Sequence, residues 1–363
     1  MDGSISHKVV RLHNELRFWW RDLCRIGVAL YDPHNDQLST FVSSDKQDGE
    51  NPLEHYQVTL SQVPSLKELA DLRRTRVVSD LGGYGDPANE HTRRLLKAGF
   101  RSSYTVPMYC SNGHFSGFLF FDAEQADYFT PELTHHLDVY AELLSALIQA
   151  EIAPTQVLSA AVYTAKRFTD WRDEETGAHL ARVSHYSRLM GYALADSQQL
   201  EDEYIQFLFQ FAPLHDIGKV AIPDSILLAP RKLSEEEFQI MQTHVGKGLN
   251  IVNELIDNFG LGQVYHLQLL RDIVLHHHER WDGKGYPNGL AGTDIPLAAR
   301  IVAVADCFDA LLTERPYKPA WGYQETCDYM REHAGSHFDP ACVEALLARP
   351  ADIDDVRQRF RDE

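Results

Sequence analysis

The sequence predicts two domains of different class, an α/β domain in residues 1–150 and an all-α helical bundle in residues 151–363. Short apolar strand patterns alternate with helical patterns in the first part of the chain, whereas nearly everything after Thr155 has helical periodicity. A length of 363 residues also favours two domains. Pro154 stands between the two parts and is expected to end the preceding helix.

The elements of the first domain follow from local patterns. A helix is predicted over residues 1–22, ending in the aromatic cluster Phe18-Trp19-Trp20. Apolar segments bounded by turn residues predict strands at 26–31, 38–43, 76–81, 103–109 and 115–121. Helical spacing predicts helices at 65–75 and 89–98.

A longer helix is predicted to close the first domain. Thr130 is a good N-cap and Pro131 a good first helical residue, and the helix should reach about Ala150. Its apolar residues form a heptad seam of Leu133, Leu137, Tyr140, Leu144 and Leu147. The seam packs either on the domain's own sheet or on a second copy of the chain. The second alternative predicts a homodimer in which this helix couples the two domains.

Composition excludes several classes of function. A net charge of −19 argues against binding DNA or RNA polymers, which requires a basic face. No apolar run approaches the roughly 18 residues of a membrane span, and the N-terminus lacks a signal-peptide pattern. The five cysteines are scattered and form no C-x-x-C pair, which is typical of reduced thiols. We therefore expect a cytoplasmic protein without a membrane segment.

The adjacent His215 and Asp216 are the strongest residue-level sign of a metal site. They follow the apolar segment 207–214, and a buried charge without a partner is costly. A bound metal ion is the favoured explanation. Asp306 lies in an otherwise apolar helical stretch and needs a partner for the same reason.

Other residues are ambiguous when each is taken alone. Glu175 and His179 lie four positions apart on one helix face, where a surface pair is the simpler explanation. His244 is most simply a solvated residue at a helix end. His277 and His278 precede a Gly-x-Gly-x-Pro loop that cannot remain helical, so they are better candidates for ligands at a helix end.

Residues 20–150 resemble a GAF domain, a ligand-binding regulatory module. The resemblance is carried by Val106-Pro107-Met108-Tyr109, by Gly117-Phe118-Leu119-Phe120-Phe121-Asp122 and by Tyr128-Phe129-Thr130-Pro131-Glu132. It implies a GAF-like sensor for a small ligand whose identity the sequence does not reveal.

Residues 155–345 resemble the HD-GYP domain, a family of metal-dependent phosphohydrolases that degrade cyclic di-GMP. The matching segments, in chain order, are Glu175-Thr176-Gly177-Ala178-His179, His215-Asp216-Ile217-Gly218-Lys219, His244-Val245-Gly246, His277-His278-Glu279, Gly285-Tyr286-Pro287, Ala305-Asp306-Cys307-Phe308-Asp309-Ala310-Leu311, Arg315-Pro316-Tyr317-Lys318 and His337-Phe338-Asp339-Pro340. Several independent motifs in the family's order make chance agreement implausible.

The resemblance implies a set of eight metal ligands. They are Glu175, His179, His215, Asp216, His244, His277, His278 and Asp306. One metal ion takes about four to six ligands, so this set implies two ions or more, with Asp216 as the natural bridge. Glu175 is not present in every family member and leaves room for a third ion. Imidazole and carboxylate ligands without thiolate favour iron, then manganese. His276 precedes the matched pair and is interpreted as a non-ligand.

The resemblance also implies a substrate and the residues that contact it. Asp216 and Lys219 are the expected catalytic residues, and Lys219 is expected to contact a phosphate oxygen. Arg315 and Lys318 suit a second phosphate or a guanine edge. Tyr286 should shape the loop beside the substrate, with Gly285 and Pro287 fixing its backbone. The expected reaction is hydrolysis of cyclic di-GMP to pGpG and on to GMP.

Three alternatives stay open at this stage. The substrate could be another cyclic dinucleotide such as 3′,3′-cGAMP, because the motifs contact phosphates and metals more than bases. The domain could be catalytically idle and act by binding partners, which the complete ligand set disfavours. A general nucleotidase of the HD superfamily is disfavoured by the Gly-Tyr-Pro loop.

Overall fold

The computed structural model describes residues 3–45, 51–83, 90–169, 177–262, 266–314 and 319–361. The chain divides into two compact units, Met1–Ala153 and Pro154–Glu363. The first contains a six-stranded sheet with helices, and the second is helical apart from isolated bridges. The predicted fold class, α/β followed by all-α, is confirmed.

The first unit is built on one antiparallel sheet. Its strands are β1 (Arg25–Asp32), β2 (Gln37–Asp45), β3 (Gln57–Thr59), β4 (Arg76–Val78), β5 (Ser102–Tyr109) and β6 (Phe115–Ala123). Their order across the sheet is β3-β2-β1-β6-β5-β4. Its helices are α1 (Ile5–Trp19), α2 (Pro64–Leu72) and α3 (Glu90–Lys97), followed by α4 (Pro131–Thr169), which begins in this unit. The sequence did not predict β3, because three residues at a sheet edge have no recognisable alternation.

Helices pack on both faces of this sheet. Alternate residues of β6 point to opposite faces, so this one strand contacts both layers. Phe118 and Phe120 pack into the apolar cluster that contains α2. On the opposite face, Phe121 stacks on Tyr104, with ring centroids 6.1 Å apart. The Tyr104 hydroxyl donates a hydrogen bond to Asp138 of α4.

Pro154 does not end α4, and this prediction from the sequence is wrong. The helix is continuous over 39 residues with the proline inside it. A proline removes one backbone hydrogen bond, but burial on both sides of it can outweigh that loss. Ile152 is buried before the proline, and Thr155 is buried after it and donates a hydrogen bond to Gln210 (2.9 Å).

The predicted heptad seam of α4 faces its own chain. Leu133, Leu137 and Leu144 are buried, whereas Tyr140 is half-buried, with its ring 6.0 Å from that of Trp20. The three leucines are therefore buried within the chain, as the first alternative for this seam requires. A dimer held by Leu137 and Leu144 is ruled out, because neither side chain is available to a second copy.

The second unit is a bundle of helices. They are α5 (Gly177–Gln198), α6 (Asp202–Phe211), α7 (Asp224–Leu227), α8 (Glu235–Gln242), α9 (His244–Asn258), α10 (Leu267–His276), α11 (Leu297–Leu312), α12 (Tyr323–Glu332), α13 (Pro340–Leu347) and α14 (Pro350–Arg359). The predicted capping box of Ser234 and Glu237 is present at the start of α8. Helix α5 packs against α6, α11, α13 and α14. Within the described residues, no helix combines the length and low polarity needed to cross a bilayer.

Candidate metal centre

Seven of the eight predicted metal ligands converge in the second unit. One group contains Asp216, His244, His277 and His278, and the other contains His179, His215 and Asp306. Within each group the candidate ligand atoms all lie within 4.8 Å of one another. Glu175, the eighth residue, lies outside the described residues.

Asp216 lies between the two groups. Its Oδ1 is 3.1 Å from Nε2 of His244 and 3.5 Å from Nε2 of His277. Its Oδ2 is 3.2 Å from Nε2 of His215, which belongs to the other group. Two ligands of a single ion lie about 3 Å apart when each bond is about 2.1 Å. The carboxylate can therefore offer one oxygen to each of two neighbouring ions.

Helix α11 supplies Asp306, the third residue of the second group. Nε2 of His179 lies 3.5 Å from Oδ1 of Asp306, and Nε2 of His215 lies 3.9 Å from the same oxygen. Asp306 is half-buried, whereas both imidazoles are buried. Asp306 is therefore the most exposed residue of this group.

Backbone carbonyls orient three of the imidazoles. Nδ1 of His215, His244 and His277 lies 2.9, 2.8 and 3.0 Å from the carbonyl oxygens of Ala212, Met241 and Ile273, respectively. A proton on Nδ1 that is donated to the carbonyl leaves the Nε2 lone pair facing the centre. This is the tautomer that binds a metal.

His179 is oriented by a carboxylate instead. Its Nδ1 lies 2.8 Å from Oδ2 of Asp309, and Arg182 donates to the same carboxylate through Nε (2.6 Å) and Nη2 (2.9 Å). Burial raises the pKa of Asp309, but the hydrogen bonds from His179 and Arg182 outweigh it and hold that pKa below its usual value. The ionised Asp309 fixes the ring of His179 and makes its Nε2 a stronger ligand.

The buried polar atoms at the centre fit a metal ion. Nε2 of His244, Nε2 of His277 and Oδ1 of Asp216 are buried and form no hydrogen bond among the described residues. Buried polar atoms without partners are rare in folded proteins and need a specific reason. A set of imidazoles and carboxylates suits divalent transition metals. The residues present therefore fit divalent ions in both groups.

The electrostatic environment of the centre favours the protonation states that metal binding requires. Burial lowers the pKa of His277 and lowers that of His278 further, so both imidazoles are neutral. Burial alone would raise the pKa of Asp216, but the positive charge of Lys219 holds it well below its usual value. Metal binding requires neutral histidine and ionised carboxylate, which is the state that these shifts give His277, His278 and Asp216.

Gly218 allows the backbone segments of the centre to approach closely. A Cβ at this position would collide with the carbonyl group of His244 and the backbone nitrogen of Gly248. The contact holds the short 3₁₀ segment after Asp216 against α9, which begins at His244. The glycine therefore sets the distance between Asp216 and His244.

The segment after His278 folds back over the ligand pair. The Tyr286 ring stacks on the His278 ring with centroids 4.9 Å apart, and the peptide bond between Tyr286 and Pro287 is cis. A Cβ on Gly285 would collide with the backbone of Glu279 and Arg280. These contacts place Tyr286 beside the first ligand group.

Glu279 anchors this loop. Its buried carboxylate accepts hydrogen bonds from the backbone N–H groups of Asn288 (2.8 Å) and Leu290 (3.1 Å). His276 lies outside both ligand groups, with its Nδ1 3.8 Å from Glu279. The sequence motif contains Glu279 but gives no sign of this anchoring role.

Of the three cationic residues predicted to contact the substrate, the structure describes Lys219 alone. Nζ of Lys219 lies 2.8 Å from Oδ2 of Asp216, at the edge of the centre. Arg315 and Lys318 lie outside the described residues. The predictions for these two residues therefore rest on the sequence.

Comparison with known protein families finds a match within the second unit. Residues 170–342 match the family model of the HD domain. This range includes every residue of the two ligand groups. This part of the chain is therefore similar to HD domains, in agreement with the resemblance seen in the sequence.

Curated relatives are similar to part of this chain. The chain is 41% identical over 218 residues to a cyclic di-GMP phosphodiesterase of Vibrio cholerae, covering 59% of this chain and 44% of the relative. It is 41% identical over 224 residues to the cyclic di-GMP phosphodiesterase response regulator RpfG of Xanthomonas campestris, covering 62% and 55%. It is also 42% identical over 188 residues to 3′3′-cGAMP-specific phosphodiesterase 2 of Vibrio cholerae, covering 51% and 34%. The matches thus span about half or less of the relatives' lengths.

Solved structures similar to this chain include GAF domains. A phycocyanobilin-bound GAF domain of a cyanobacterial phytochrome matches with 15% identity and a TM-score of 0.34, covering 42% of this chain and 88% of that domain. A Synechocystis GAF domain in its photoproduct state matches with 20% identity and a TM-score of 0.34, covering 41% and 97%.

Proposed function

We propose that the protein is a metal-dependent cyclic-dinucleotide phosphodiesterase that hydrolyses cyclic di-GMP. The observation that carries this proposal is the position of Asp216, whose two oxygens face the imidazoles of two separate ligand groups. Paired ions sharing a carboxylate are typical of enzymes that cleave phosphodiesters. The names of the relatives support the substrate class.

The reaction is hydrolysis of one phosphodiester bond. Water adds to phosphorus, the bond from phosphorus to the leaving ribose oxygen breaks, and that oxygen gains a proton. Divalent ions in the two groups would lower the pKa of water and neutralise the charge on the phosphodiester. The product is the linear dinucleotide pGpG, and a second hydrolysis would give GMP.

The chain's own residues supply orientation and further charge. His215, His244 and His277 are held with Nε2 towards the centre by backbone carbonyls, so ligand geometry exists before substrate binds. The ammonium of Lys219 lies next to Asp216, where it adds positive charge beside a bound phosphate. Burial raises the pKa of Tyr286, so its hydroxyl stays protonated and can donate to the substrate.

Two or three ions, iron first and manganese second, are proposed for the centre. The described residues supply two groups, and Glu175 is the sequence-based candidate for a third ion. Arg315 and Lys318 are proposed to contact the second phosphate or a guanine edge. Regulation by the first unit, a homodimer and a cytoplasmic location are proposals of the same kind.

Product analysis of the full-length protein tests the proposal. Protein purified without oxygen is analysed for metal and then incubated separately with cyclic di-GMP and 3′,3′-cGAMP, and the nucleotides are separated by chromatography. We expect pGpG or GMP from cyclic di-GMP at the higher kcat/KM, and no product after chelation. Faster cleavage of 3′,3′-cGAMP would reassign the substrate within the class. Failure of metal-loaded protein to cleave either nucleotide would overturn the proposed activity.

A further inference from the structure

Helix α14 lies beyond the residues that match the HD family model, which end at position 342. It nevertheless packs against α5, the helix that carries His179. Ile353 and Val356 are the buried residues of α14, at 0% and 6% exposed. An amphipathic helix that buries one apolar face in this way is held in place by that face. Helix α14 is therefore seated on an element of the candidate metal centre.

The residue that follows α14 is bonded to the group that orients His179. The backbone carbonyl of Phe360 accepts a hydrogen bond from Nη1 of Arg182 (2.8 Å). Nε and Nη2 of the same guanidinium donate to the carboxylate of Asp309, which lies 2.8 Å from Nδ1 of His179. Arg182 is 4% exposed, so these bonds are shielded from water. One buried guanidinium thus joins the end of α14 to a candidate metal ligand.

The same guanidinium also holds the end of α11. Its Nη2 donates to the hydroxyl of Thr313 (2.9 Å), the residue directly after α11. The donors of a guanidinium lie in one plane and point in fixed directions. Its orientation towards Asp309 is therefore set jointly by acceptors on α11, after α11 and after α14.

The ring of Phe360 fixes the position of its own carbonyl group. It stacks on the ring of His185, with centroids 4.6 Å apart. His185 lies three residues after Arg182 and so on the same face of α5. The His185 ring also contacts the ring of Phe209 on α6 (5.1 Å), and its Nδ1 lies 3.0 Å from Nη2 of Arg188. Phe360 therefore rests on a side chain that is itself held in place.

We propose that Phe360 is a positioning residue of the second ligand group and that α14 sets the affinity of this group for its metal ion. The inference rests on the metal centre of the proposed function. With α14 seated, Phe360 holds Arg182, Arg182 holds Asp309, and Asp309 holds the ring of His179. When Phe360 leaves its seat, Arg182 loses one acceptor and the carboxylate loses a fixed partner. The His179 ring then has more freedom, and its metal ion is bound more weakly.

Calorimetry with manganese(II) on chelated, full-length protein tests this inference without any substrate. We expect the wild type to bind two ions per chain. Loss of a partner behind a metal-binding histidine typically weakens binding 10–100-fold, so Phe360→Ala should bind one ion about tenfold more weakly and the other within about twofold of the wild type. Phe360→Tyr keeps the ring on His185 and should restore the weakened affinity.

A control of similar stability separates positioning from folding. Val343 on α13 is 3% exposed, and its side chain forms no hydrogen bond. Val343→Ala should lower the free energy of unfolding in urea, as Phe360→Ala does, because both remove buried apolar surface. Unlike Phe360→Ala, it should keep both manganese affinities.

A double-mutant cycle tests the route through Arg182. Arg182→Lys keeps the charge but cannot reach all the acceptors of the guanidinium. Because residues that act through one another are not additive, Phe360→Ala in this background should weaken manganese binding by no more than about twofold further. Asp309→Asn takes the place of Arg182→Lys in the cycle if the lysine variant does not fold.

Three results would overturn the inference. They are wild-type affinities in Phe360→Ala, additive effects of the two substitutions in the cycle, and an equal loss of affinity in Val343→Ala. A wild-type protein that binds fewer than two manganese ions would overturn the metal centre and this inference with it. Selective weakening in Phe360→Ala, in a protein that cleaves neither cyclic dinucleotide, would support the inference and overturn only the phosphodiesterase activity.

Discussion

Asp216 is the residue on which the candidate metal centre depends. Among the described residues of the two groups, it is the carboxylate whose two oxygens face different groups. Oδ1 faces His244 and His277, and Oδ2 faces His215. The Nδ1 atoms of His215 and His277 are within hydrogen-bond distance of backbone carbonyl oxygens, so the positions of these rings do not depend on a bound ion. Loss of the carboxylate should therefore affect both groups while the surrounding helices stay in place.

Replacement of Asp216 by alanine should empty both ligand groups and abolish turnover of cyclic di-GMP. Removing a ligand shared by two ions weakens both sites, and we expect kcat to fall by at least about a thousandfold, equivalent to about 4 kcal/mol. Elemental analysis and product chromatography on the same sample check this. Asp257→Ala, at an exposed position of α9, is the control and should keep both properties. A metal-replete, active Asp216→Ala protein would refute the bridging role.

His13 should make the stability of the first unit depend on pH. This buried residue of α1 lies 2.8 Å from the Ser44 hydroxyl and 3.0 Å from the Leu23 carbonyl oxygen. Burial lowers its pKa from 6.5 to about 4, so the unfolded chain binds a proton at a higher pH than the folded chain does. Its contribution to stability is complete above about pH 6.5 and is lost as the pH falls towards 4, by up to about 3 kcal/mol.

Urea unfolding at pH 7.0 and 4.5 measures this effect. His13→Gln should be less stable at pH 7.0 but lose less stability on acidification than the wild type. Asp45, whose pKa burial raises to about 6, changes stability in the opposite direction, but it is present in both proteins and cancels in the comparison. The exposed His114→Gln is the control. Equal losses in His13→Gln and the wild type would contradict the assignment.

At the scale of elements, α4 has two apolar faces with different roles. Leu137 is 0% exposed and packs within its own unit, whereas Val139 and Leu143 are 56% and 58% exposed. Ala146 and Ala150 continue the exposed strip with heptad spacing. Within residues 131–153, a homodimer that uses this helix would pack through the strip of Val139, Leu143, Ala146 and Ala150.

Single glutamates on the two faces distinguish their roles. Leu137→Glu should destabilise the first unit by more than about 3 kcal/mol, because it places a charge in an apolar core. Leu143→Glu should change the free energy of unfolding by less than about 0.5 kcal/mol, but it should lower the dimer fraction. Urea unfolding and light scattering measure these outcomes. A Leu143→Glu protein with the wild-type mass in solution would exclude this strip as the interface.

The loop after His278 is expected to affect substrate binding more than metal binding. In the native protein, the two carboxylate oxygens of Glu279 each accept a hydrogen bond, one from the backbone N–H of Asn288 and one from that of Leu290. The amide in Glu279→Gln keeps only one acceptor oxygen for these two donors. Loss of a charged hydrogen bond should raise KM for cyclic di-GMP by about tenfold, while the metal content stays unchanged. Steady-state kinetics with elemental analysis check this. Exposed Glu235→Gln is the control, and an unchanged KM in Glu279→Gln would show that the loop does not depend on this anchor.

At the scale of the whole molecule, the sequence predicted the parts whose chemistry has few alternatives. Apolar alternation predicted five of the strands, and seven of the eight candidate ligands that the family resemblance implies lie in the two groups. Asp309 and Glu279 were not predicted as orienting residues, because their partners are a distant arginine and backbone N–H groups that leave no spacing pattern. The continuation of α4 through Pro154 was also missed, because it depends on tertiary burial.

The most direct test of the central claim is a metal titration of chelated protein in which hydrolysis of cyclic di-GMP is measured at each step. Two ligand groups that share Asp216 predict that turnover is absent without metal and rises only as a second equivalent per chain binds. Ferrous iron and manganese are each titrated under anaerobic conditions, with Asp216→Ala as the inactive reference. Full turnover in the metal-free protein, or turnover that is complete at one equivalent per chain, would contradict a phosphodiesterase built on two ions.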